Sequence, residues 1–181
     1  MRSSDLDLIF VPGLGGSGPD HWQTRWRARL PTARSVEQTD WGNPDLDAWT
    51  LGVIEACRAA LRPTALVAHS LGATIVAHAA ARLAASNVKA AFLVAPPSDD
   101  YLSASPLAAF APTPRAPLPF ASLLVASRDD PYGPIEAAAA LARDWGADFV
   151  DAGLAGHINV DSGHGPWPEG LMSLARLLKK I

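Results

Sequence analysis

The chain has 181 residues, 49% of them hydrophobic and 18% charged, with a formal net charge of −3. That length reads as one domain, residues 1–181, the composition argues against disorder, and a slight negative charge with scattered arginines leaves no basic face for nucleic acid. Cys57 is the single cysteine, which excludes an internal disulfide and a cysteine-based zinc site. The stretch from Met1 to Asp5 precedes an apolar run too short for a signal segment, so the expectation is a soluble, cytoplasmic protein without a membrane partner.

Leu6 to Val11 is continuously apolar, as in a strand buried on both faces, and it ends in Pro12-Gly13-Leu14-Gly15-Gly16-Ser17-Gly18-Pro19. As a string, Gly13-x-Gly15-x-x-Gly18 matches a dinucleotide fingerprint, with Glu37 as a ribose-binding acid, and would imply an NAD-linked oxidoreductase. That fingerprint needs a helix starting inside the motif, so that the pyrophosphate sits on its N-terminus. Pro19 follows the last glycine and Asp20 reads as the N-cap, which favours an oxyanion loop with the Leu14 amide as donor. The helix that follows carries Trp22, Trp26 and Leu30 on one core-facing side. His21 borders the loop, where it either lines a site or stands exposed at the helix start. Ser35 to Gln38 reads as an edge strand. A turn through Asp40-Trp41-Gly42-Asn43-Pro44 leads to a helix with Leu46, Trp49, Val53, Cys57 and Leu61 at core spacing, closed by Pro63.

The run Leu66-Val67-Ala68-His69 breaks at Ser70 and restarts with helical periodicity at Leu71. Ala68 and Gly72 flank the serine two positions away on each side, because so tight a turn brings their backbones close to neighbouring chain. Strand, sharp turn and helix make this a nucleophile elbow, with Ala68 where the G-x-S-x-G pattern has its first glycine. Such an elbow aims the first amides of the helix, Leu71 among them, at a developing oxyanion. A serine hydroxyl is a poor nucleophile until a base takes its proton, so a histidine and a group to orient it are required. The alternative is that Ser70 only caps a helix.

The helix after Ser70 runs to about Ala85, and Val88 to Ala95 is another buried strand. The segment from Pro96 to Phe120 is too short and proline-broken for a helical cap, so the site is expected to be open and the acyl pocket shallow; the alternative, from its alanine, phenylalanine and leucine content, is a loop folded over the site as a deep tunnel. Ala121 to Ser127 is the fifth strand. It runs into Arg128-Asp129-Asp130-Pro131, where the hydrolase order serine, acid, histidine places its acid, although aspartates also serve there as turn formers. In the register G-x-x-D, Ser127 stands at the glycine and Asp130 at the acid, leaving Asp129 to the turn. Helix resumes near Pro134, Asp148 to Asp151 is the last strand, and the loop after it holds His157 and His164. His157 lies nearer the sheet edge, while His164 sits between two glycines; a metal site from His157, Asp161 and His164 is the alternative. Leu171, Leu174, Leu177 and Leu178 make the final helix amphipathic.

Alternating strands and helices predict a three-layer α/β/α fold with a six-stranded parallel sheet. In the order 2-1-3-4-5-6, the loops after strands 1 and 3 lie side by side at the switch point, which joins the glycine loop to Ser70.

These motifs together resemble the small serine hydrolases of the retinoblastoma-binding-protein-nine type, also called the YdeN family. The likeness spans the chain: V-P-G-L-G-G-S-G-P-D-H-W-Q from Val11 to Gln23, Gln38-x-Asp40-Trp41-x-x-Pro44, His69-Ser70-Leu71-Gly72, Asp129-Asp130-Pro131, Gly156-His157-Ile158-Asn159, and Trp167-Pro168-Glu169-Gly170. The resemblance implies a minimal, lidless α/β-hydrolase with Ser70 as nucleophile, Asp130 as acid and His157 as base, needing no cofactor. The L-x-C-x-E motif associated with retinoblastoma-protein binding is absent around Cys57, so that partner is not expected. The expected activity is cleavage of a small ester or amide, as a carboxylesterase or amidase. Leu14 and Leu71 would form the oxyanion hole, and Gly13, Gly15, His21, Tyr101 and the loop at Trp167 would border the substrate. A catalytically silent binding or regulatory module on the same fold is the alternative.

Overall fold

The computed structural model describes residues 3–181. Met1 and Arg2, part of the N-terminal stretch considered above, lie outside them. Six strands form one parallel sheet in the order β2-β1-β3-β4-β5-β6: β1 Asp7–Val11, β2 Ala33–Ser35, β3 Thr64–His69, β4 Val88–Val94, β5 Ala121–Ala126 and β6 Asp148–Asp151. The predicted order is the observed one. The described residues form six α-helices, α1 Trp22–Arg27, α2 Leu46–Arg58, α3 Leu71–Leu83, α4 Asp99–Ser103, α5 Ile135–Trp145 and α6 Pro168–Leu178.

The sheet is buried on both faces, and alternate residues of each central strand feed two separate cores. Ile9, Val11, Leu66, Ala68, Leu93 and Leu124 meet α2, α3 and α5 on one face. Leu8, Phe10, Val67, Phe92, Val94 and Val125 meet α1 and α6 on the other. The continuous apolar runs of β1 and β3 follow from this double burial, whereas the edge strands are less covered, β2 half-buried throughout and β6 mostly exposed.

Several boundaries differ from expectation. The edge strand β2 is Ala33–Ser35 rather than Ser35–Gln38, because register with Leu8 to Phe10 selects it. Helix α2 ends at Arg58, so Leu61, expected at a core position, is 94% exposed. The segment 96–120 folds as the five-residue α4 and a 3₁₀ turn at Ala108–Phe110. Leu102 and Phe110 are sunk into the α3 side of the core, so this segment packs down onto the molecule rather than building a cap. Among the described residues no helix is long and apolar enough to cross a membrane.

Candidate active site

Ser70 occupies the turn between β3 and α3 with φ 55° and ψ −129°, a left-handed conformation that costs a non-glycine residue free energy. The turn is held from both sides, by Ser70 N–H to the Val94 carbonyl at 2.9 Å and by Ala73 N–H to the Ser70 carbonyl at 2.9 Å. Gly72 shows why the flanks are small. A Cβ there would stand 2.2 Å from the Val11 carbonyl oxygen. The end of β1 therefore lies directly against the start of α3, which brings the glycine loop onto the elbow.

His157 meets Ser70 from the loop after β6. Its Nε2 is 2.9 Å from the Ser70 Oγ, and its Nδ1 is 3.0 Å from both Oδ1 and Oδ2 of Asp130. The carboxylate accepts from Nδ1–H, which leaves the Nε2 lone pair to accept the serine proton. The side chains of His157 and Asp130 are 8% and 6% exposed, so their interaction is little weakened by solvent. Asp130 is steadied by the Tyr132 N–H on Oδ1 at 3.0 Å, and the Tyr132 ring packs edge-on against His157 at 4.4 Å.

Asp129 has a separate task. Its Oδ1 accepts from Ser127 Oγ at 2.7 Å and from Gly156 N–H at 2.8 Å, and Ser127 Oγ also accepts from Ala155 N–H at 2.9 Å. These bonds, the Ser127 hydroxyl first, hold the Asp129 carboxyl below the usual carboxylate range. They fasten the end of β5 to the two residues before His157.

The elbow opens into a cleft of about 200 Å³ lined by Gly13, Leu14, Gly16, His21, His69, Ser70, Leu71, Pro97, Tyr101, Leu107, Tyr132, His157 and Asn159. Among the described residues no Asp, Glu, Lys or Arg lines it. Of the residues expected around a substrate, Gly13 and His21 are there, and so are Leu14, Leu71 and Tyr101. Gly15 is not: it faces a second cleft across the glycine loop, with its N–H on the Trp41 carbonyl at 2.8 Å, and Gly16 takes its place. Trp167 is also displaced from expectation. It is 6% exposed and packs against Trp22, Trp26 and Phe92 in the core, because α6 lies on the α1 face of the sheet.

Asp20 was expected to cap α1, but His21 does so. Its Nδ1 accepts from Gln23 N–H at 3.2 Å, which turns the ring inward, 6% exposed, instead of out to solvent. Burial first, then the nearby His157, pushes its pKa down to about 4. His164 bonds Ser162 through Nδ1 and stays apart, and both ring nitrogens of His157 are engaged by Ser70 and Asp130, so the metal grouping with Asp161 does not form. Sequence reasoning gave no role to His69, Pro97, Leu107, Tyr132 and Asn159. His69 and Asn159 stand inside the motifs His69-Ser70-Leu71-Gly72 and Gly156-His157-Ile158-Asn159, and Tyr132 directly follows Asp129-Asp130-Pro131, which was the available signal.

Comparison with known proteins gives the chain a family. A family model described as serine hydrolase matches residues 8–176. The chain belongs to the serine hydrolase family. A YdeN-like hydrolase from Pectobacterium atrosepticum is 32% identical, with a TM-score of 0.87 over 97% of this chain and 91% of that one. The ydeN gene product of B. subtilis is 19% identical, with a TM-score of 0.76 over 96% and 99% of the two chains. An esterase from Thermogutta terrifontis, with butyrate bound, shares the fold at 14% identity and a TM-score of 0.67 over 99% of this chain and 85% of that one. No curated protein matches the chain. Membership of this YdeN-type group of serine hydrolases covers nearly the whole chain, so the β3–α3 turn, the turn after β5 and the loop after β6 all fall within it.

Proposed function

We propose that this serine hydrolase cleaves small, uncharged esters or amides through an acyl-enzyme on Ser70. The observation that carries the reading is the chain of contacts Ser70 Oγ to His157 Nε2 at 2.9 Å and His157 Nδ1 to Asp130 at 3.0 Å, at a turn strained to present the hydroxyl. In the first step Ser70 Oγ attacks the acyl carbon while its proton passes to His157 Nε2, and Asp130 stabilises the imidazolium and keeps the ring oriented. The carbonyl oxygen becomes an oxyanion. Its donors are the amides of Leu71, in the first turn of α3 where backbone N–H groups lack helical acceptors, and of Leu14 across the cleft. Collapse breaks the bond to the leaving alcohol or amine, which takes its proton from His157. Water then repeats the sequence on the acyl-enzyme, releasing the acid and restoring Ser70.

The chemical character of the cleft supports an uncharged substrate. A carboxylate or ammonium entering it would lose hydration without meeting an opposite charge. The test is labelling with a fluorophosphonate followed by peptide mapping. Ser70 should be the modified serine, and Ser70→Ala should lower kcat by at least about 10³-fold with the fold intact. Modification at Ser17 or Ser162 would overturn the reading.

A further inference from the structure

The loop that carries His157 has no helix or strand of its own, and the residues on either side of the histidine are left-handed, Gly156 at φ +54° and Ile158 at φ +49°. Such a backbone does not hold itself in place, so the position of the imidazole must be set from outside. Three attachments do this. Ser127 and Asp129 hold Ala155 and Gly156, and Trp22 donates its indole N–H to the Ile158 carbonyl at 2.9 Å. The third is on His157 itself: Nε2 of His69 lies 2.9 Å from the His157 carbonyl oxygen.

A carbonyl oxygen only accepts, so His69 donates from Nε2–H. It is 5% exposed, and burial holds its pKa well below the ordinary histidine value, which keeps the ring neutral, so that the carbonyl facing Nε2 selects the tautomer. The ring is also wedged. It packs against His21 at 4.9 Å, Trp22 at 5.9 Å and the His157 ring at 4.8 Å between centroids, which blocks its rotation away from the carbonyl.

His69 is also the chain neighbour of Ser70, and this closes a circuit. From Ser70 the path runs along one peptide bond to His69, through its side chain to the His157 carbonyl, and through the His157 side chain back to the Ser70 hydroxyl. We propose that His69 is a positioning residue that sets the separation of nucleophile and base by gripping the main chain of His157 from the residue next to Ser70. The inference rests on the reading of Ser70 and His157 as nucleophile and base.

The test compares His69→Leu, which removes the donor, His69→Gln, which keeps an N–H donor of similar reach, and His69→Asn, whose donor is too short. Fluorophosphonate labelling rates and kcat and KM on an acetyl ester are measured per labelled site, so that misfolded protein does not count. His69→Leu and His69→Asn should each lose about 10²-fold in kcat and labelling rate with KM nearly unchanged, as expected for a displacement of about 1 Å at the reacting atoms. His69→Gln should recover most of the loss. In a His157→Ala background, adding His69→Leu should lower the labelling rate no further, because the two residues act through one contact. The proposal is overturned by an unaffected His69→Leu, by an equal loss in the His157→Ala background, or by failure of His69→Gln to recover. If His69→Leu does not fold, the contrast between Gln and Asn decides the matter in the same way. Absence of labelling in the wild-type chain would instead reject the nucleophile reading, and this inference with it.

Discussion

Gly13 and Ser70 approach so closely that a methyl group on Gly13 would stand 2.8 Å from the Ser70 Cβ and 3.3 Å from the Leu71 amide nitrogen. The first of the loop glycines is thus required by the elbow, and it holds the next residue, Leu14, over the cleft. Gly13→Ala should push the loop off the elbow and lower kcat/KM by about 10²-fold or more by moving an oxyanion donor. Its stability cost should be about 1–3 kcal/mol, an overpacking penalty. Gly72→Ala faces backbone instead, 2.2 Å from the Val11 carbonyl oxygen and 2.7 Å from that of Pro12, and should prevent folding. Thermal unfolding and ester kinetics on both variants check this; wild-type kinetics in Gly13→Ala would remove the loop from the oxyanion site.

The two aspartates of the acid turn should separate cleanly. Asp130→Asn removes the charge facing His157 Nδ1 and should lower kcat by about 10⁴-fold. Asp129→Asn keeps the Oδ1 acceptor used by Ser127 and Gly156, so activity should fall by less than about 10-fold, whereas Asp129→Ala releases the loop and should cost more. The opposite ranking of the two Asn variants would move the acid by one residue.

His21 and His69 make the fold sensitive to acid. Both are held neutral in the folded chain, His21 with a pKa of about 4 and His69 well below its ordinary value, while unfolded imidazoles titrate near 6.5. Below pH 6.5 the unfolded chain takes up protons that the fold excludes. Stability is therefore complete above that pH and falls as the pH drops towards 4, by about 2 kcal/mol at pH 5 for His21 alone. Tm measured between pH 7 and pH 5 should decrease, and His21→Asn, which retains a helix-capping side chain, should flatten the slope. An unchanged slope would mean that His21 is not buried in the neutral form.

Trp167 belongs to the core, not the substrate site. Trp167→Ala should destabilise the chain by about 3–5 kcal/mol, as for other large aromatic truncations. The relative kcat/KM values for different acyl esters should stay as in the wild type. A changed acyl preference at unchanged Tm would return this residue to the site.

The cleft of about 200 Å³, walled by Tyr101, Leu107 and Tyr132, holds few methylenes. Each methylene buried contributes about 0.8 kcal/mol, and those beyond the cleft contribute nothing, so short acyl p-nitrophenyl esters should have the highest kcat/KM. Interfacial activation should be absent. A kcat/KM that climbs steadily from acetyl to palmitoyl would require a deeper tunnel.

Much of this molecule is determined by local pattern. Apolar runs of strand length alternating with amphipathic helices specify a parallel sheet covered on both faces. The elbow is equally local: Ala68, Ser70 and Gly72 state that a strand, a sharp turn and a helix meet with no room for side chains, and the structure shows the contact of Gly72 with Val11 that requires it. That Ser70, Asp130 and His157 would meet was legible for the same reason, since each follows a strand whose end lies on one edge of the sheet. What the sequence could not decide depends on contacts between distant segments. Whether Trp167 faced substrate or core depended on which face of the sheet received α6, and Leu61 was exposed once α2 stopped short of it. In the chain, His21 is only a candidate lining residue beside the glycine loop and His69 only the neighbour of Ser70. Only packing against each other, Trp22 and His157 excludes water from both, fixes their tautomers and leaves one to cap a helix while the other grips the main chain of the histidine beside Ser70. Hydrogen-bond partners 88 residues apart leave no trace in local periodicity, because the free energy that pairs them comes from burial that exists only once the fold is complete.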